Sequence, residues 1–209
     1  MSIIDKLATS QGTKSDVLNQ MLAKELADNN DRDGIRVIVE NLENKNRSFQ
    51  SDCIKVLYEI GYIKPVLITE YVEEFIKLLK SRNNRLVWGS MIALSVISEL
   101  KAKEIFEQRN IIIKAIEDGS VITSDAGIKT LSGVASHNEK YNKELFPYLI
   151  KCLMNCRPKS VPQYSESIFP AVSEKNEKQF IKAVNERKGI LSSSQIKRVD
   201  NLLKELGNA

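Results

Sequence analysis

An internal period of 37 residues constrains this chain more than any other feature. Leu57, Leu94, Leu131 and Ile168 recur at that interval, as do Leu42, Leu79, Ile116 and Leu153, and Ile60, Ile97, Val134 and Ala171. Gly61, Ser98, Ala135 and Val172 each follow a member of the third series. Three apolar positions kept in register four times would be a surprising accident in a chain that is 42% hydrophobic. Such a period marks a repeat array, in which each unit buries its apolar face against its neighbours.

Within a repeat the apolar spacing is helical, as in Ile54, Leu57, Tyr58 and Gly61, and no period-2 alternation is sustained anywhere. The units are therefore helix pairs. The pattern predicts first helices over 32–44, 70–81, 104–117 and 141–155, and second helices over 48–61, 85–99, 121–136 and 160–173. Asp31, Ser48, Thr69, Asn84, Ser120, Asn138 and Ser160 are the expected N-terminal caps, because their short side chains can accept from free N–H groups. Pro162 suits a first helical turn, whereas Pro170 falls where the fourth second helix should continue and predicts a kink or stop there.

Outside the repeats, 15–28 reads as an amphipathic helix, and 176–187 and 193–206 as two more. None of these keeps the 37-residue register, as expected of end units that must turn a polar face to water. The expected organisation is one domain, with an N-terminal capping helix in 1–30, four repeats over 31–173 and a capping helix pair over 174–209.

Composition narrows the class further. No window approaches the ~18 apolar residues of a membrane span, and the N-terminus lacks the basic and apolar regions of a signal peptide, so a cytoplasmic chain is expected. Cys53, Cys152 and Cys156 are an odd number and fit reduced thiols rather than a disulfide framework. The net charge of +4 is carried by the C-terminal part: residues 1–150 hold 20 basic and 21 acidic side chains, residues 151–209 hold 11 and 6. That surplus is below the dense basic stripe of a dedicated nucleic-acid binder.

A tandem array of such two-helix units resembles the HEAT-repeat family of α-solenoids and, more loosely, the armadillo family, over 31–173. The resemblance implies an all-α, right-handed α-α superhelix of about four to five HEAT-like helix pairs with irregular terminal helices. It also implies that second helices line a concave surface. On the helix that begins near Arg85, Met91, Leu94, Ile97 and Ser98 share the core side. Trp88, the only tryptophan, lies ~120° from its centre, and Arg85, Gly89, Ile92 and Val96 lie further round. Carried across the repeats, that face comprises Ser48, Ser51, Asp52, Lys55 and Glu59, then Arg85, Trp88, Ile92 and Val96, then Ile122, Asp125, Ala126 and Lys129, and lastly Lys159, Gln163 and Glu166.

An apolar centre with a charged rim and a tryptophan anchor suits a protein or peptide partner, recognised without a cofactor. Arg85, Trp88, Ile92, Val96, Ile122, Asp125, Lys129 and Lys159 are the candidate contact residues of a non-enzymatic scaffold. The competing reading is a face already covered by a terminal helix or a second copy. A nucleic-acid function is the alternative, because some HEAT-like proteins are glycosylases of alkylated DNA bases with tryptophans and an aspartate in the cleft. Trp88 and Asp125 occupy equivalent positions here, but there is no second tryptophan. Basic residues at the intra-repeat turns, Lys45, Arg47, Arg82, Arg85, Arg157 and Lys159, also raise the prospect of anion binding along one edge. Cys152 and Cys156 with the single His137 do not make a metal site, and no phosphate loop, paired carboxylates or nucleophile motif is present.

Overall fold

A computed structural model describes residues 2–206. Among them the regular structure is helical throughout, with no strand. The α-helices are α1 (Val17–Asp28), α2 (Arg32–Glu40), α3 (Arg47–Ile63), α4 (Val72–Leu78), α5 (Asn84–Ile97), α6 (Ala102–Glu107), α7 (Arg109–Asp118), α8 (Val121–His137), α9 (Glu139–Asn155), α10 (Val161–Ile168), α11 (Glu177–Arg187) and α12 (Ser193–Leu206). Every one of the twelve apolar positions of the 37-residue series is buried, none more than 7% exposed. The repeat seen in the sequence is thus the repeat of the core. The chain forms two compact units, Met1–Gly127 and Ile128–Ala209.

In the first unit α1 packs along α3, and α3 along α5. The cross-links Lys55 to Asp16 (3.8 Å) and Gln20 to Glu59 (3.5 Å) ascend together in both helices, so α1 and α3 run parallel. The N-terminal helix therefore takes the place of a second helix, although its sequence lacks the 37-residue register. Polar links join adjacent repeats at equivalent places: Arg32 to Glu70 (3.1 Å), Lys77 to Glu43 (2.8 Å) and Asn83 to Gln50 (2.8 Å). Glycines permit close approaches between helices. A Cβ on Gly89 would stand 2.6 Å from Ile54 Cγ1, and one on Gly127 would stand 2.3 Å from Ile116 Cγ1. Gly89, expected on the open face, is instead buried against α3, because parallel second helices need a small residue where their backbones approach.

A hydrogen-bonded network joins the segment before α1 to α1 and α3. Ala8 N donates to Asn19 Oδ1 (3.0 Å), Asn19 Nδ2 to Asp52 Oδ1 (2.9 Å), and Thr9 N to Asp52 Oδ2 (2.7 Å). Asn19 is fully buried, and these bonds satisfy both ends of its amide.

In the second unit α11 lies beside α9, and α12 beside α10. Lys175 pairs with Glu139 (2.5 Å), Asn176 Nδ2 donates to Asn142 Oδ1 (2.8 Å), and Arg198 forks onto Glu166. These links span about one repeat, so the last two helices pack as a further helix pair despite their irregular sequence. Arg187 caps the end of α9, with its guanidinium donating to Met154 O (2.8 Å) and to Cys156 O.

The helices follow the expected outline, and the departures have local causes. As Pro170 predicts, α10 stops at Ile168 and a 3-10 turn, Phe169–Ala171, follows. The carbonyls at this helix end are taken up by side chains: Ser132 Oγ donates to Ile168 O (3.3 Å) and Asn142 Nδ2 to Ala171 O (2.7 Å). The first helix expected over 70–81 is a 3-10 stretch, Pro65–Tyr71, followed by α4, and the one expected over 104–117 breaks at Gln108 into α6 and α7. Pro147 sits inside α9, where it removes one backbone donor without ending the helix.

Three expected caps are made: Asp31 accepts from Gly34 N (2.8 Å), Ser120 Oγ from Thr123 N (3.3 Å) and Asn138 from Tyr141 N (2.9 Å). At two other starts the cap is a nearby asparagine, Asn46 in place of Ser48 and Asn83 in place of Asn84. Thr69 lies within the 3-10 stretch and Ser160 makes no side-chain cap.

Candidate functional site

The face expected to bind a partner is best defined in the first unit, on α3 and α5. Along α5, Arg85, Trp88, Ile92 and Val96 succeed one another at helical spacing and share one side. Arg85 is exposed, with its backbone N–H held by Asn83 Oδ1 (3.1 Å); Trp88, Ile92 and Val96 are half-buried. Trp88 is neither a core residue nor free in solvent. Its ring leans on Tyr58 of α3, with centroids 6.0 Å apart and planes at 52°, and Tyr58 meets Tyr62 edge-on at 6.0 Å. Such ring pairs contribute about 0.5–1.5 kcal/mol beyond the area they bury, so the tryptophan is held in place while part of it stays open.

Beside the rings lies an ion pair. Lys55 Nζ is 2.7 Å from Glu59 Oε1 and 4.9 Å from the Tyr58 ring centroid. Burial pushes the Lys55 pKa down, but the bonds to Glu59 and Tyr58 outweigh it and hold the ammonium well above its ordinary range. Burial is also the main reason the Tyr58 phenol is raised. Lys55 thus remains charged and is committed to Glu59 of its own helix and to Asp16 at the start of α1. Asp52, expected on this face, is taken up by the N-terminal segment.

The remaining candidate residues differ in exposure. Ile122 is 49% exposed and adjoins the equally open Val121, while Asp125 is half-buried. Lys129 on α8 and Lys159 in the 3-10 turn Pro158–Ser160 belong to the second unit and are exposed. Sequence reasoning missed Tyr58 and Tyr62 as members of the face. Their i, i+4 spacing was the available signal, obscured because Tyr58 also follows a core leucine and Tyr62 falls just past the helix predicted over 48–61.

Cys53, Cys156 and His137 each sit in a local packing or bonding environment. Burial and the neighbouring Asp52 carboxylate push the Cys53 thiol up to about 12, which leaves it protonated at neutral pH. Cys156 Sγ bonds the Leu153 carbonyl (3.2 Å), and His137 stacks on Tyr141 at 6.1 Å on the surface. Among the described residues no group of three or more His, Cys, Asp or Glu is placed to hold a metal ion, and no helix is long and apolar enough to cross a membrane.

No protein-family model and no curated protein matches the sequence. Solved structures do match the fold. An engineered protein from the Northeast Structural Genomics Consortium aligns with a TM-score of 0.64 at 17% identity, covering 100% of this chain and 98% of that one. A designed armadillo repeat protein in complex with the peptide (KR)4 aligns with a TM-score of 0.66 at 13% identity, covering 88% and 85%. Computationally designed armadillo repeat proteins for modular peptide recognition align with a TM-score of 0.63 at 12% identity, covering 97% of both chains. At such identities the likeness concerns the fold alone, and with the twelve buried register positions it leads to one conclusion: this chain has the all-α repeat fold of armadillo-like and HEAT-like proteins.

Proposed function

We propose that the protein is a non-catalytic scaffold that binds a protein or peptide segment across its second helices. The observation that carries this reading is the strip Trp88, Ile92, Val96 on α5, half-buried and braced by Tyr58, which offers a pre-ordered apolar anchor. A rigid aromatic beside open aliphatic surface loses little conformational entropy on binding. Arg85, Ile122 and Asp125 are the further candidate contacts within the same unit, and Lys129 and Lys159 are those of the second unit. Designed repeat proteins of this fold are described as recognising peptides, which supports the reading by analogy.

The test uses the only tryptophan as its reporter. Iodide should quench Trp88 partially in the free protein. A peptide carrying a Leu- and Phe-rich segment should shift its emission saturably and protect it, while single-stranded and duplex DNA should not. In a parallel anisotropy titration with labelled peptide, Trp88→Ala should weaken binding about tenfold or more, as expected for an interface anchor. Unchanged peptide affinity in Trp88→Ala would refute the strip as the anchor. A saturable, salt-dependent response to DNA would favour a nucleic-acid function instead.

A further inference from the structure

Most cations in the first unit have a partner. Lys6, Lys24, Arg32, Arg36, Lys77 and Lys101, for example, all pair with carboxylates. Lys45, Arg47, Lys80, Arg82 and Arg85 do not: all five are exposed and none has a carboxylate within ion-pair distance among the described residues. Among the described residues of this unit, the only other cations without a side-chain hydrogen bond or ion pair are Lys14 and Lys103. The five fall in two intra-repeat turns, 44–47 and 80–85. Those turns are tied together, since Gln50 donates to Asn44 O (2.9 Å) and accepts from Asn83 Nδ2 (2.8 Å). The cations therefore form one braced patch. The neighbouring carboxylates are engaged elsewhere, Glu43 by Lys77 and Asp118 by Lys114, each at 2.8 Å.

Lys80 and Arg82 also border a cleft of about 710 Å³ whose apolar wall includes Val87, Ile111 and Ala115. From this edge α5 leads directly into the apolar strip, Arg85 first and Trp88 one turn on, and ends at Ile97, two residues before the exposed Glu99. Along α5 the face thus changes from basic to apolar.

We propose that the paired turns 44–47 and 80–85 dock an acidic peptide segment that continues into the apolar segment held by Trp88. The inference rests on the scaffold reading and adds the chemistry and polarity of the partner: a run of Asp or Glu next to its hydrophobic anchor. Charge complementarity selects this occupant. Three arginines without internal partners offer fork-shaped donors suited to carboxylates, and binding would not first have to break existing pairs. A nucleic-acid backbone fits less well, because the next turn along the edge carries Glu117 and Asp118 and cuts the basic patch to two adjacent repeats.

The experiment compares two labelled peptides with the same Leu- and Phe-rich segment, one preceded by four Glu and the other by four Gln. Binding to the full chain is read by anisotropy. The Glu peptide should bind about tenfold more tightly, the order expected of several exposed charge pairs acting together. The advantage should vanish in about 0.5 M salt and in the triple variant Arg47→Gln, Arg82→Gln, Arg85→Gln, whose helical circular dichroism should match wild type. Equal affinity of the two peptides, or no binding of the Glu peptide, would overturn the proposal. A Glu advantage that survives the triple variant would place the contact elsewhere. An oligo-dT strand that binds more tightly than the Glu peptide, and is lost in the triple variant, would make the edge a nucleic-acid surface. Failure of the scaffold reading is separable: a Glu preference that persists in Trp88→Ala, with unchanged affinity for both peptides, would leave the acidic contact standing without the tryptophan anchor.

Discussion

Trp88 and Gly127 show how differently single residues can be constrained within one repeat fold. Trp88 tolerates partial exposure because Tyr58 supports one side of its ring, whereas Gly127 has no spare volume at all. A side chain there would drive into Ile116 and approach Met91, both buried. Gly127→Leu should therefore destabilise the protein by about 1–3 kcal/mol or more, the usual range for overpacking a close-packed site. A urea unfolding curve with an unchanged midpoint would disprove that packing. Periodicity made the role of Trp88 readable in part, since it removed Trp88 from its helix's core. The register of α3 against α5 was not readable, which is why Gly89 was expected in the open and proved buried on Ile54.

At the scale of elements, helices are joined by polar links that recur about one repeat apart. Glu43 with Lys77 and Glu139 with Lys175 are exposed examples, one in each unit. The hydrogen bond from the partner lysine holds each glutamate below its ordinary value. A carboxylate with a lowered folded-state pKa contributes stability above its unfolded value and loses it as pH falls through the folded value. Tm should therefore fall slightly as pH drops below about 4.3, the ordinary glutamate value, and less so in the double variant Glu43→Gln, Glu139→Gln. An identical acid profile in wild type and variant would mean that these exposed pairs contribute nothing measurable. Most helix starts and stops were legible, because caps and prolines act within a few residues. Whether Asn46 or Ser48 caps α3 was not, since both can accept and the turn geometry decides between them.

At the scale of the whole molecule, stability is distributed over neighbour interfaces, as a repeat array requires. Phe180, fully buried in the second unit, meets Phe169 at 6.4 Å with the rings edge-on. Phe180→Ala should cost about 3–5 kcal/mol locally. Hydrogen exchange should then accelerate in α9–α12 far more than in α1–α5. Equal acceleration in both units would mean a single cooperative core rather than the two compact units Met1–Gly127 and Ile128–Ala209.

The amino-acid sequence alone determined the repeat period, the helix pairs, the core series and the stop at Pro170, because each depends on spacing or on the covalent limits of one residue. Tertiary structure decided what lay between elements. It made α1 and the last two helices pack like repeat helices despite their irregular patterns, joined Tyr58 to Trp88, gave Asp52 to the N-terminal segment, and left five cations of two turns without partners. The physical reason is the range of the forces involved. Helical periodicity is written in residues three and four apart, while a partner 30 or more residues away is chosen by packing, which no local pattern records.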